Sequence, residues 1–386
     1  AMGVWKSHLA DLPSSANVAS AQVGVLASAL SDVGGHTLCV RRLLQSLHDK
    51  YSLALFLSDE DRAERAASVT LAEAKSVATV QGVSYRSGRK APAATFLKLY
   101  QQIEASGVKL LFVFTSPSDW VAIAALALLR RNTSVKVVFV NHADHLFSLG
   151  MGFADCVVDF RSHAQAISQQ RCAQTLLLPL QAPIGAHTAH YAEQTLANQR
   201  AEFGVAAEAP FTVTGCASNK IFDGNHSPYL AFIRELLAAK PDLVHLLLTE
   251  LNEAQQQILE QVFANAPDLR KRLLIRKRVN DFDILLQSAD LFIDSFPQGS
   301  ALVHIDMMRN RRPTVVRIDR QQPLLSFEDY LYQNYPYAYD DLKVMREGIL
   351  HLLAQPDERE KIAEKLYQHY LQHNEFHAVQ RRWLSL

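Results

Sequence analysis

The apolar residues of this chain fall in short unbroken runs rather than in alternation, and that pattern narrows the fold more than any other feature. VGVLASAL (23–30), YSLALFL (51–57), KLLFVF (109–114), VKVVFVN (135–141) and DCVVDF (155–160) are strand-length segments with few polar interruptions. A strand that carries apolar side chains on both sides must be covered on both faces, which is the condition of a strand inside a parallel sheet. Parallel neighbours need crossover connections. Amphipathic segments such as TLCVRRLLQSL (37–47) and one near 118–131 stand where crossover helices belong. The first half therefore predicts a doubly wound α/β layer.

Between about 180 and 210 the pattern lapses into QAPIGAHTAHYAEQTLANQRAEFGVAAEAP, which has no strong period. A second series follows: FTVTGCA (211–217), LVHLLLTE (243–250), RLLIRK (272–277), DLFID (290–294) and PTVVRI (313–318), with helices expected near 227–239, 253–265, 281–288 and from about 299. A chain of 386 residues exceeds what one core usually covers. The expected organisation is a Rossmann-like domain over 1–185, a linker over 186–210, a second Rossmann-like domain over 211–365, and a C-terminal helix over 366–386. The segment EFHAVQRRWLSL of that helix can return across the first domain. Two doubly wound domains of this kind would face a cleft beyond the carboxyl ends of their strands, so motifs that follow strands are the ones to weigh.

Composition excludes several classes. Lysine plus arginine and aspartate plus glutamate both total 39, so no net field points to nucleic acid. No apolar run is long enough to span a bilayer. The four cysteines are dispersed without a CxxC pair, which predicts reduced thiols and a cytoplasmic protein. Ala1-Met2-Gly3 reads as a cloning remnant, with the natural start upstream. The basic runs 270–278 and 309–320 predict a solvated face, with peripheral attachment to an anionic inner-membrane surface as the sharper reading.

Five motifs carry chemistry. Gly34 and Gly35 precede a helix after the first strand, where paired glycines admit close backbone approach and a helix start suits an anion; an ordinary turn capped by Thr37 is the bland alternative. His142, in NHADH at the end of a strand, suits a general base or a substrate contact; HADH lacks a third ligand for zinc. Asn219 and Lys220, in the loop CASNKIF, offer a point charge to phosphate. Pro297-Gln298-Gly299-Ser300 is a turn into a helix whose first N–H groups suit a diphosphate, and Asp306 follows Gly299 by roughly two turns at ~3.6 residues per turn. From there it can accept hydrogen bonds from a vicinal diol such as ribose, or simply pair with Arg309. Asp281-Phe282-Asp283 matches a DxD metal pattern but reads better as a helix cap.

Taken together, the two-domain series, the Gly-Gly-His loop, NHADH, Lys220 and ADLFIDSFPQGSALVHIDMMRNRRPTVV (289–316) resemble the GT-B glycosyltransferases. The donor motif is most similar to that of bacterial N-glycosyltransferases and O-GlcNAc-transferase-like enzymes. Many retaining GT-B enzymes carry two glutamates where this chain has Gln298 and Asp306. The resemblance implies a nucleotide-diphosphate sugar as donor, a glycan, lipid-linked or protein acceptor, and no metal or other cofactor. It further implies Asp306 at ribose, Gly299, Ser300 and the helix start at diphosphate, and Lys220 at phosphate. His142 is then the expected base or acceptor-positioning group, with His36 competing. A sugar-nucleotide epimerase or phosphorylase, or a non-catalytic scaffold of the same architecture, are the alternative readings.

Overall fold

The structure, a computed structural model, describes residues 22–32, 34–66, 68–84, 92–172, 174–185 and 190–385. Ala1-Met2-Gly3 and positions 186–189 of the expected linker lie outside the described residues. The chain divides into two compact units, Ala1–Gly185 with Asn374–Leu386, and Ala186–His373.

The first unit is a parallel sheet of β1 (Val23–Ala27), β2 (Leu53–Leu57), β3 (Thr79–Gly82), β4 (Leu110–Phe114), β5 (Lys136–Val140), β6 (Cys156–Asp159) and β7 (Thr175–Leu177). Their order is β3-β2-β1-β4-β5-β6-β7. The second unit repeats the scheme with β8 (Phe211–Gly215), β9 (Val244–Leu248), β10 (Leu273–Arg276), β11 (Leu291–Ile293), β12 (Thr314–Arg317) and β13 (Ala338–Tyr339), in the order β10-β9-β8-β11-β12-β13. Every pairing is parallel, for example Val25 opposite both Leu55 and Phe112. In both units the strand order reverses beside the first strand, so the crevice lies between β1 and β4 in one and between β8 and β11 in the other.

The unbroken apolar runs do what a doubly covered sheet requires. β1, β2, β4 and β8 are buried along their whole length. Leu26, Phe56, Val113 and Phe139 pack against Val121, Ala125 and Leu129 of the helix Trp120–Asn132; burying side chains of this kind contributes about 1.5–3 kcal/mol each. Asp119 starts that helix by accepting from the N–H of Ala122 at 3.0 Å, and Arg130 and Arg131 close it at the negative end of its dipole.

Two boundaries differ from the sequence reading. Residues 190–210 are not a loose linker: they contain the helix Glu193–Glu202, and Phe203 and Val205 enter the core of the second unit. None of that helix's residues is buried, so it has no apolar stripe for a periodicity argument to find. The helix Pro356–His373 runs through the expected boundary at 366, and only residues from Asn374 onward belong to the first unit. There the helix Phe376–Trp383 sets Trp383 edge-on to Phe112 at 5.7 Å, and Gln380 donates to the carbonyl of Ser46.

The basic runs are solvated only in part: Lys271, Arg276, Lys277, Arg278 and Arg320 are exposed, while others turn inward. Arg309 is buried, Arg312 is half-buried, and Arg272 donates to the carbonyls of Leu237, Lys240 and Leu243. Long cationic side chains with several donors are well suited to closing helix C-termini, and here that use outweighs hydration. Among the described residues no helix is long and apolar enough to cross a membrane. The four cysteines are free thiols.

Candidate functional site

In the second unit the carboxyl ends of β8 and β11 bring two distant segments together. β8 runs into the short 3-10 turn Ser218–Ile221, which carries Lys220, and β11 runs through Asp294–Ser300 into the helix Ala301–Arg309. Lys220 Nζ donates to the carbonyl of Gly299 at 2.7 Å and lies 5.6 Å from the centroid of the Phe327 ring. The N–H of Gln298 donates back to the carbonyl of Lys220 at 3.2 Å. Asn219 is exposed on the same turn.

The 294–300 loop is wound around Asp294, which is buried. One of its oxygens, Oδ1, accepts from the N–H groups of Ser295 and Ser300, both at 2.9 Å, while Oδ2 lies 3.2 Å from Nε2 of His304. Ser300 Oγ bonds to the carbonyl of Gly215, which ties the loop to the end of β8. The N–H of Gly299 donates to Leu325. The amides of Gly299 and Ser300 thus already have protein acceptors. The first-turn N–H groups of Ala301, Leu302 and Val303 are those that no α-helix satisfies internally. Ser300 provides no side-chain cap for them.

Glycine at 299 is a steric requirement. A Cβ there would stand 2.5 Å from Phe327 Cδ2 and 2.6 Å from Asp294 Oδ2. Gly299→Ala is expected to destabilise the protein by about 1–3 kcal/mol, the usual cost of overpacking a closed site. Urea unfolding of the variant measures it; an unchanged midpoint would mean that the loop yields freely.

Asp306 lies two turns along the helix, on an ionic cluster. Arg309 makes a two-pronged bond with Asp283, at 2.6 and 2.9 Å, and reaches Asp306 at 3.3 Å. Asn310 links Asp283 to the carbonyl of Asp306, both at 2.9 Å. The pairing of Asp306 with Arg309 weighed from the sequence is thus present. Both DxD carboxylates are engaged, since Asp281 caps its helix at the N–H of Ile284.

In the first unit His36 and His142 converge at the carboxyl ends of β4 and β5, with ring centroids 4.5 Å apart. His36 Nε2 donates to the carbonyl of Phe114 at 2.7 Å. A carbonyl only accepts, so that nitrogen carries the proton and Nδ1 holds the lone pair. His142 Nδ1 faces the carbonyl of Val140 at 3.3 Å. Burial lowers the affinity of both rings for a proton; in His142 burial and the neighbouring His36 bring the pKa down to about 3. Gly34 and Gly35 are exposed at the start of the helix Gly35–Leu47, and Gly34 has φ 129°, which a side chain would strain. Asp144, the acid of NHADH, is held by both prongs of Arg161 at 2.6 and 2.7 Å.

No protein-family model matches the chain, and no curated protein does so either. Solved structures do resemble it. Anabaena HepE in complex with UDP-glucose has a TM-score of 0.72 at 15% identity, over 94% of this chain and 98% of that one. An O-GlcNAc transferase variant of Thermobaculum terrenum has a TM-score of 0.64 at 12% identity, over 95% of this chain and 66% of that one. A Listeria monocytogenes chain assigned as a UDP-N-acetylglucosamine 2-epimerase has a TM-score of 0.55 at 12% identity, over 90% and 91%. The fold is that of the GT-B glycosyltransferases: two α/β units, each built on a parallel sheet.

Proposed function

We propose that this chain is a glycosyltransferase that moves a sugar from a nucleoside diphosphate donor to a glycan, lipid-linked or protein acceptor. The observation that carries this reading is the junction of β8 and β11. Lys220 is bonded beside the start of the helix Ala301–Arg309 and Asp306 follows on that helix, an order that supports phosphate, diphosphate and ribose contacts in turn. HepE, of the same fold, binds UDP-glucose, which makes uridine the first base to test.

In this reading Lys220 and the N–H groups of the helix start meet the charge that grows on the leaving diphosphate, and Gln298 lines the turn beside them. That division of labour is metal-independent. The two carboxylates that match the DxD pattern are already engaged, one with a helix cap and the other with Arg309 and Asn310. In the first unit the acceptor meets the histidines and the Gly34-Gly35 turn. A pKa near 3 makes His142 a weak base at neutral pH, so it serves better as the hydrogen-bond acceptor that orients a hydroxyl, with His36 as the stronger candidate base.

Asp306→Ala tests the donor assignment. The two-pronged bond to Asp283 keeps Arg309 in place, so the fold should survive. Loss of hydrogen bonds to a charged acceptor is expected to weaken UDP binding by about tenfold or more. Calorimetric titration reads the change, and an unaltered affinity would remove Asp306 from the ribose. The epimerase reading is supported by the Listeria chain, at a lower TM-score than HepE. Following the labelled sugar decides between them: transfer to a second molecule supports this proposal, and isomerisation on the nucleotide the other.

A further inference from the structure

The second unit has a cavity of about 440 Å³ at the opposite ends of its strands, beside Asp290 and Pro313, which immediately precede β11 and β12. Its size falls within the range of small-molecule sites. Its wall carries three arginines, Arg311, Arg312 and Arg359, and three acids, Asp290, Glu360 and Glu364, and Arg200 stands behind Asp290. Arg200 and Arg359 approach Asp290 at 3.7 and 3.6 Å, and Arg312 lies within the field of all three. Three guanidiniums therefore share one half-buried carboxylate. The other acids of the cavity, Glu360 and Glu364, are exposed at its rim, where Glu364 pairs with Arg311 at 3.4 Å and Glu360 acts on Arg312.

Each arginine also has a structural bond: Arg200 to the carbonyl of Ser288, Arg359 to those of Leu352 and Leu353, Arg312 to that of Gln287. These bonds do not exhaust five donors apiece. The Nε group of Arg312 is buried without a hydrogen-bond partner, while that of Arg311 has only the Glu364 carboxylate, at 3.4 Å. Burial disfavours the charged form of Arg312; Asp290 and Glu360 oppose that, and the like charges of Arg359 and Arg200 add to it. An anion would relieve both the repulsion and the missing bond.

Arg311 adds a separate observation. Its φ is 50°, a left-handed backbone that glycine adopts freely and a long side chain does not. Its guanidinium is spread over the Tyr367 ring at 4.0 Å, with Glu364 at 3.4 Å and His190 at 2.8 Å, on the cavity wall. A strained conformation that persists is a marker of function when a specific chemistry accompanies it.

We infer that this cavity binds a phosphate group, with Arg311, Arg312 and Arg359 as its ligands, at a site separate from the β8–β11 crevice. Planar guanidiniums match phosphate oxygens in pairs, which is why arginine recurs at such sites. The phosphate belongs either to a soluble phosphate ester or to a lipid headgroup. This inference does not depend on the donor assignment.

The test uses the whole chain carrying Lys220→Ala, so that the crevice does not contribute. Inorganic phosphate is titrated at constant ionic strength while thermal unfolding is followed, since a ligand of the native state raises the midpoint. In parallel, the protein is sedimented with phosphatidylcholine vesicles with and without phosphatidic acid. Arg311→Gly and Arg312→Gln are the probes. Arg311→Gly relieves the backbone as it deletes the guanidinium, so it should fold normally and keep UDP affinity when Lys220 is intact. A phosphate-dependent shift, at least about tenfold weaker in apparent affinity in the variants, supports the site with a soluble ligand. Phosphatidic acid-dependent sedimentation lost in Arg311→Gly, with no response to inorganic phosphate, supports it with a lipid. No response to either, or responses that Arg311→Gly leaves unchanged, overturns it.

Discussion

Replacing Lys220 with alanine is expected to lower kcat for sugar transfer by about 10²–10³-fold, the usual cost of removing one preorganised group that meets developing charge. The amine is held in place. Its bond to the Gly299 carbonyl and its position by the Phe327 ring fix it beside the first turn of the helix Ala301–Arg309, where the helix dipole already favours an anion. A diphosphate gains negative charge as the glycosidic bond breaks, so the stabilisation is greater in the transition state than in the bound donor. The loss should therefore fall mainly on kcat and less on donor KM. Lys220→Arg restores charge but not the compact point charge, and intermediate rates are expected. Steady-state kinetics with the nucleotide sugar chosen by a binding panel measures all three proteins. A kcat for Lys220→Ala near that of the parent, with the fold intact, would take Lys220 out of the chemistry.

The parts of this site that sequence made legible are those that follow from local pattern. Buried strands such as Leu53–Leu57 and Phe211–Gly215 announce themselves because both faces are covered, and Lys220 and the 297–300 turn could be placed because each directly follows such a strand. β3 and β7 did not announce themselves. Thr79–Gly82 and Thr175–Leu177 are partly exposed edge strands, and their composition is mixed accordingly.

What local pattern cannot convey is where a side chain's partner comes from. Asp283 lies 26 residues before Arg309, and only the packing of two helices makes it the arginine's main partner. Likewise a helix start after Gly299 was visible, but not that Asp294 folds back to take the N–H of Ser300. Arg311 runs against local expectation altogether, since a left-handed residue just after a helix is usually glycine.

Acidification is expected to destabilise the second unit through His245, which is fully buried between β8 and the helix Pro228–Ala239. Its bonds form an ordered chain. Thr214 donates to the carbonyl of Ile293 and so accepts from Tyr229; Tyr229 in turn accepts from His245 Nε2 at 2.9 Å, which leaves Nδ1 to accept from Thr212 at 2.8 Å. The chain requires the neutral ring, and burial lowers the pKa of His245 to about 3. In the unfolded chain it returns to about 6.5. Below that value the unfolded state binds the proton and the folded state does not, so stability is fully present above pH 6.5 and declines as the pH falls toward 3. The slope is about 1.4 kcal/mol per pH unit, and roughly 4–5 kcal/mol is lost over the whole window. Asp159 of the first unit, raised to about 6 by burial, runs the other way, because its folded form keeps a proton that the unfolded chain releases above about 3.8. A His245→Gln variant separates the two. Urea unfolding monitored at pH 7.5 and 5.0 should show a smaller pH dependence in the variant than in the parent. Because Tyr229 packs edge-on against Phe296 of the 294–300 loop at 5.2 Å, nucleotide binding should weaken along with the fold. Equal slopes in the two proteins would mean that His245 takes up its proton without unfolding, and that the chain of hydroxyls can reverse to accept it.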